Sequence, residues 1–354
     1  MLDFTSALYL GLHHPNRCLK PYTQFTTGVP ATLKEPPGAE QVADELARLQ
    51  GCEHGVLGPS TFHLFWDLFG MLARRPIVIY MDDSLYPIAR WGVERAAARG
   101  IPVRVVAHHD ANALRRLLKQ GARSRREPVL VTDGFCPACG KAAPLPAYLD
   151  ALRVYGGRLV LDDTQALGIL GSSPSPDAPY GRGGGGMLRR FQISGQDVLA
   201  ISSLAKAFGA PTAVLCGSRA AVEEFKKKSE TRVHCSPPCL PAIRAAEHAL
   251  FFNRRRGNRV RLRLAAVVSR FPRGLAKHGL RTVGGLFPVQ TLQPSSSIRA
   301  RRVHEQLLNN GIRTVLRRAL HGEGERISLV ITARHTPVEI DAAIAALAEV
   351  AKQS

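Results

Sequence analysis

Between Pro76 and Leu161 short apolar runs alternate with segments of helical spacing, and this alternation limits the possible folds more than any other feature. The runs are Pro76–Met81, Ile101–Val106, Pro128–Thr132 and Arg158–Leu161. Between them, Ile88–Arg99, Asn112–Gln120 and Leu145–Tyr155 carry helical spacing. Short apolar runs without polar alternation are strands buried on both faces, and strands that alternate with helices build a largely parallel sheet. The predicted class is therefore α/β. A further strand, Val198–Ile201, follows a glycine-rich loop at Gly181–Gly186, and Ala213–Cys216 is expected to return against it.

The flanks read differently. Leu2–Leu12 is an extended segment and Pro21–Pro37 a proline-rich connector, so residues 1–40 are expected to form an arm. Residues 41–240 make the large α/β unit. Beyond Pro241 come a long Ala/Arg/Leu-rich helix to Arg270 and strands near Thr282, Pro288–Leu292 and Arg326–Thr332. A helix over Pro337–Lys352 closes the chain, so 241–354 reads as a smaller α+β unit.

With 354 residues the chain can bury a large core. No secretory signal and no run of ~20 apolar residues is visible, so the expected location is cytoplasmic and no membrane is implied. A net charge of +20 suits an anionic ligand or partner. Its arginines are scattered, no nucleic-acid motif accompanies them, and aromatics are only 6%, so nucleic acid is not the expected partner. Seven cysteines are an odd number, and the expected cytoplasmic setting argues against a disulfide framework. Cys136–Cys139 and Cys235–Cys239 have spacings that a zinc site permits, but spacing is their only support, and no metal is expected.

In parallel sheets ligands bind beyond the carboxyl ends of the strands. Asp82 and Asp83, Asp162 and Asp163, and Lys206 fall at such ends. A lysine there is ordinarily a solvated surface residue. Desolvated, its amine becomes a nucleophile for a carbonyl cofactor. Asp162 ahead of Lys206 is the pair that pyridoxal phosphate requires, a carboxylate for the ring nitrogen and a Schiff-base lysine. Ser60 and Thr61 stand at a turn entering a helix, where capping is the ordinary role and phosphate binding the other.

Leu2-Asp3-Phe4 through Leu12, Thr132-Asp133-Gly134 through Leu145, Leu159–Gly171 (LVLDDTQALGILG), Ser203–Gly209 (SLAKAFG) and Ile327–Thr336 carry a resemblance over nearly the whole chain. These segments resemble the α-oxoamine synthases, pyridoxal-phosphate enzymes of the fold-type I superfamily. The resemblance implies a mostly parallel seven-stranded sheet flanked by helices, with a smaller C-terminal α+β domain. It implies that Lys206 holds the cofactor and moves the substrate α-proton, that Asp162 pairs with the ring nitrogen, and that Ser203, Ser60 and Thr61 lie at the phosphate. Ser236 matches a phosphate contact given by a neighbouring subunit, which implies a homodimer.

The departures are specific. The ring-stacking histidine of the family is Tyr86 here, the histidine at the ring hydroxyl is Gln165, and a nearby serine is Pro137. The arginine that grips the amino-acid carboxylate falls at Ser328, with Arg326 two residues earlier on the same strand face, so either Arg326 substitutes for it or the carboxylate is held elsewhere. The N-terminal helix usual in the family is not seen. The implied reaction joins an amino acid to an acyl thioester, on coenzyme A or an acyl carrier protein, with loss of carbon dioxide. Transamination, or lyase or aldolase chemistry, is the alternative that the departures leave open, and a silent cofactor-binding partner of a carrier protein is the lesser one.

Overall fold

The computed structural model describes residues 1–293, 299–318 and 324–352. Its centre is a seven-stranded sheet in the order His54–Gly58, Ala213–Gly217, Val198–Ser203, Arg158–Asp162, Glu127–Asp133, Ile77–Asp82, Val103–Val106. Ala213–Gly217 runs antiparallel to both its neighbours, and the remaining pairs are parallel. The expected return of the strand after Lys206 is thus present.

Successive residues of each strand feed opposite faces. Ile77, Ile79, Val129, Val131, Val160, Leu199 and Ile201 join one buried cluster. Val78, Tyr80, Leu130, Leu159, Leu161, Val198 and Ala200 join the other. Helices Thr61–Leu72, Pro87–Ala97 and Arg219–Lys228 cover the first face, through residues such as Leu68, Val93 and Phe225. Ala39–Gln50, Ala111–Gly121, Leu145–Arg153 and Leu240–Phe252 cover the second. Burial on both faces explains why these strands read as unbroken apolar runs.

His54–Gly58 was not foreseen as a strand. Its two glycines and a histidine carry little strand signal, and the element exists through its pairing with Ala213–Gly217. The long helix expected to Arg270 is two helices, Leu240–Phe252 and Asn258–Ala276, joined by a π-turn at Asn253–Gly257. Arg261, which is buried, donates to the carbonyl of Gly168 at 2.9 Å and to Asn253 Oδ1 at 2.8 Å.

A second sheet, antiparallel, has the order Thr282–Val283, Val289–Leu292, Glu325–Val330, Val315–Arg318. Helices Ala300–Asn309, which the sequence reading missed, and Pro337–Lys352 accompany it. The first dozen residues also join this part. Leu2–Asp3 pairs in parallel with Ile312–Arg313, and the Val330 amide donates to the Phe4 carbonyl at 2.8 Å. Phe4, Tyr9, Leu10 and Leu12 are buried. Among the described residues no helix is long and apolar enough to cross a membrane.

Candidate active site

Strand register assembles the site. Asp133 and Asp162 are direct partners at the ends of adjacent parallel strands, and Asp162 is in turn paired with Ile201, two residues before Ser203. Ser203 lies opposite Ala213, which lies opposite Gly58, so the turn carrying Ser60 leaves from the same carboxyl edge. A turn beyond Ser203 puts Lys206 over this edge.

Asp162 and Asp163 have different partners. Asp162 Oδ1 accepts from the Thr164 amide at 3.0 Å. Asp163 is fully buried, and its Oδ2 accepts from the Met187 amide at 2.9 Å, pinning the glycine-rich loop. Gly186 in that loop has φ +79°, and a Cβ there would collide with Asp163 Oδ2. Thr164 Oγ1 accepts from the Ser203 amide at 3.0 Å and so ties the aspartate strand to the lysine turn.

Burial lowers the basicity of Lys206, an effect that the carboxylates of Asp162 and Asp133 oppose. Burial raises the Asp162 carboxyl, offset in part by its Thr164 hydrogen bonds and by Lys206. It raises Asp133 further, with the Asp162 charge adding to the effect. Asp133 Oδ2 accepts from the Tyr86 amide at 3.2 Å, while Oδ1 is buried with no hydrogen-bond partner among the described residues. Tyr86 is half exposed, and Lys206 Nζ lies 5.7 Å from its ring centre. Two carboxylates and an amine of reduced basicity thus share one partly enclosed edge, an arrangement suited to covalent carbonyl chemistry.

Gln165 is held from behind. Its Oε1 accepts from the hydroxyl of Tyr9 at 2.7 Å, and burial keeps that phenol protonated. The expected capping role of Ser60 is not what the structure has. Ser60 occupies the N-cap of Thr61–Leu72, but its hydroxyl bonds to His63 Nδ1 at 2.9 Å and caps no backbone amide. The first amides of that helix therefore remain for an anion. Ser236 is exposed just after the short helix Thr231–His234.

At Ser328, where the family's arginine falls, an arginine other than Arg326 makes the hydrogen bond. Arg326 donates through Nη1 to the carbonyl of Glu325 at 2.9 Å. The guanidinium at Ser328 comes instead from Arg317 on the adjacent strand. Its Nε donates to Ser328 Oγ at 3.2 Å, and its Nη2 to Thr291 Oγ1 at 3.3 Å. Ser328 is buried and also bonds Thr291 Oγ1 at 2.8 Å. Sequence reasoning missed Arg317, Asp133, Thr164 and Tyr9. Only Asp133 carried a signal, as an acid at a strand end like Asp162. Cys235 and Cys239 are exposed and join no cluster of potential metal ligands among the described residues.

The donor set fits the cofactor that the sequence implies: a buried carboxylate at a strand end, a desolvated amine, and helix amides that no side chain caps. Comparisons with known proteins agree in fold. Residues 33–347 match the model of the aminotransferase class I and II family. An 8-amino-7-oxononanoate synthase of Alkalilimnicola ehrlichii is 29% identical over 321 residues, covering 90% of this chain and 78% of its own. One of Geobacter sulfurreducens is 27% identical over 317 residues, 88% of this chain and 76% of its own. Among solved structures, a Sphingomonas wittichii serine palmitoyltransferase superposes with a TM-score of 0.82 at 15% identity, covering 99% of this chain and 87% of that one. A Francisella tularensis 8-amino-7-oxononanoate synthase gives 0.77 at 18% identity, covering 100% and 98%. The chain belongs to the aminotransferase class I and II family, within which it resembles the α-oxoamine synthases.

Proposed function

We propose that this chain is a pyridoxal-phosphate-dependent acyltransferase that condenses an amino acid with an acyl thioester, releasing carbon dioxide and forming an α-amino ketone. The observation that carries the reading is the convergence of Lys206, Asp162 and Asp133 on one carboxyl edge. The two relatives described above are named for a reaction of this class.

Bound at this edge, pyridoxal phosphate supplies an aldehyde and an electron sink for charge that develops at the amino-acid α-carbon. Lys206, its charged form disfavoured by burial, anchors the group and then takes the α-proton. Asp162 would pair with the ring nitrogen, and Tyr86, whose ring centre is 5.7 Å from Lys206 Nζ, would offer its face to the ring. Thr61 and the following amides, with Ser60 and Ser203, would hold the phosphate. Gln165, oriented by Tyr9, would offer its amide hydrogens to the ring hydroxyl in place of an ionisable group. Arg317, not Arg326, grips the substrate carboxylate beside Ser328. The basic surface attracts an anionic thioester, on coenzyme A or a carrier protein.

Assembly is read as a homodimer in which Ser236 reaches the partner's phosphate site. Phe62, Trp66 and Trp91 support this, since they form an exposed aromatic patch on the two helices that follow Ser60 and Tyr86. Purified protein reconstituted with the cofactor and given a panel of amino acids and acyl thioesters should release both carbon dioxide and free thiol. Release of a keto acid with the thioester untouched would replace this reading by transamination.

A further inference from the structure

The carboxyl edge carries a second group of chemistry-bearing side chains, one strand beyond Asp133. Asp82 ends the strand Ile77–Asp82, and His108 and His109 follow Val103–Val106. Asp82 Oδ1 accepts from His108 Nδ1 at 2.7 Å, and Oδ2 from the His109 amide at 3.3 Å. His108 Nε2 faces Cys139 Sγ at 3.4 Å. One ligand atom from each of His108, His109 and Cys139 lies within 4.8 Å of the others. Cys136 belongs to the same tight turn, and its thiol interacts with the side chains of Cys139 and His108, although it lies outside the set within 4.8 Å.

Three features of this group lack a purpose in the protein alone. His109 has φ +56°, a left-handed conformation that is strained for a side-chain-bearing residue. Its Nε2 is buried with no hydrogen-bond partner among the described residues, which is a further cost. The two imidazoles stack with centroids 3.7 Å apart, which holds two potential ligands side by side. A carboxylate on Nδ1 fixes the tautomer of His108 and leaves the Nε2 lone pair pointing at the thiol, the arrangement by which proteins orient a metal-binding histidine. Tetrahedral zinc, with Zn–N and Zn–S lengths of ~2.0–2.1 and ~2.3 Å, separates its ligand atoms by roughly 3.3–3.8 Å. The His108–Cys139 separation already falls in that range.

We propose that His108, His109 and Cys139, with Cys136 as the fourth ligand, form a closed structural site for a thiophilic divalent cation, zinc by the chemistry of its donors. Two imidazoles and two thiolates are a structural zinc set, and hard-oxygen cations are disfavoured. Binding requires each thiol to lose its proton to solvent and involves no change in oxidation state. The ion would brace the Asp82 loop, because Asp82 Oδ1 also accepts from the Ser84 amide at 2.9 Å, two residues before Tyr86. It borders the lysine site, since Thr132 Oγ1 beside Asp133 donates to Asp82 Oδ2 at 3.3 Å, so the metal is read by its own thiolate band and not through cofactor loading.

The test uses the full chain, reduced, stripped by a chelator and then titrated with Co²⁺ in place of Zn²⁺. The expected result is one equivalent bound per chain with a thiolate-to-cobalt absorption band, and displacement by Zn²⁺. Cys139→Ser should lose the band and Cys235→Ser should keep it. Asp82→Asn, which keeps every ligand, should weaken binding by ~10–100-fold. Thermal melting of each variant without metal checks that it folds. The proposal is overturned if the folded wild-type chain shows no thiolate band, if the band survives Cys139→Ser, or if Cys136 and Cys139 are recovered as a disulfide that takes no metal after reduction.

Discussion

Arg317 Nε donates to Ser328 Oγ across two antiparallel strands, so the guanidinium arrives at this position from the neighbouring strand rather than from residue 328 itself. A charge-assisted contact to a substrate carboxylate contributes about 1.5–3 kcal/mol. Arg317→Ala should therefore weaken amino-acid binding by ~10–100-fold, whereas Arg326→Ala should change it by less than ~3-fold. Titrating the cofactor absorbance of each holoenzyme with amino acid measures this directly. Equal losses in the two variants would refute the assignment.

Lys206→Ala should abolish covalent attachment of the cofactor. Borohydride treatment followed by mass measurement should add the cofactor to the native chain and nothing to the variant. Attachment that persists would mean that another amine does this work.

Asp133 gives a pH prediction with a definite sign. Its carboxyl is raised in the folded chain, so the folded state binds more protons than the unfolded state above the ordinary aspartate range. The penalty of burying the charge is present above the folded pKa and vanishes below the unfolded one. In the cofactor-free protein Asp133→Asn should raise the urea midpoint near neutral pH, and the gain should fade as the pH drops toward 4. A gain that is constant with pH would remove the burial argument.

Gly186→Ala places a Cβ against Asp163 Oδ2 in a left-handed backbone conformation. The strain alone is on the order of 1–3 kcal/mol, and the collision adds to it. A clearly lowered urea midpoint is expected, with Gly183→Ala as the control, since it has a similar φ but open space around it. Similar losses in both would assign the effect to backbone conformation only.

What could be read from the sequence follows from how each element is held. Runs such as Ile77–Met81 and Val198–Ile201 are buried on both faces and were legible as strands, as were the strand-end Asp162 and the lysine turn. His54–Gly58 was not, because its strand character comes from a partner more than 150 residues away. Arg317 was hidden for the same reason. Val315–Arg318 reads as a basic surface run, and only antiparallel pairing with Glu325–Val330 carries its guanidinium over Ser328. The His108–Cys139 approach likewise joins two segments that carry no common motif.

The pairing of Leu2–Asp3 with Ile312–Arg313 has a consequence for synthesis. At ~5–20 residues per second a ribosome takes roughly 15–60 s to deliver the partner strand after the first residues appear. Throughout that interval Phe4, Tyr9, Leu10 and Leu12, all buried in the finished protein, have no completed surface to cover them. Tyr9, whose hydroxyl bonds Gln165, is also held by the Ala333 amide, which donates to its carbonyl at 2.8 Å. Residues 2–12 are thus held by a strand roughly 300 residues further along the chain, and their packing is completed late in synthesis.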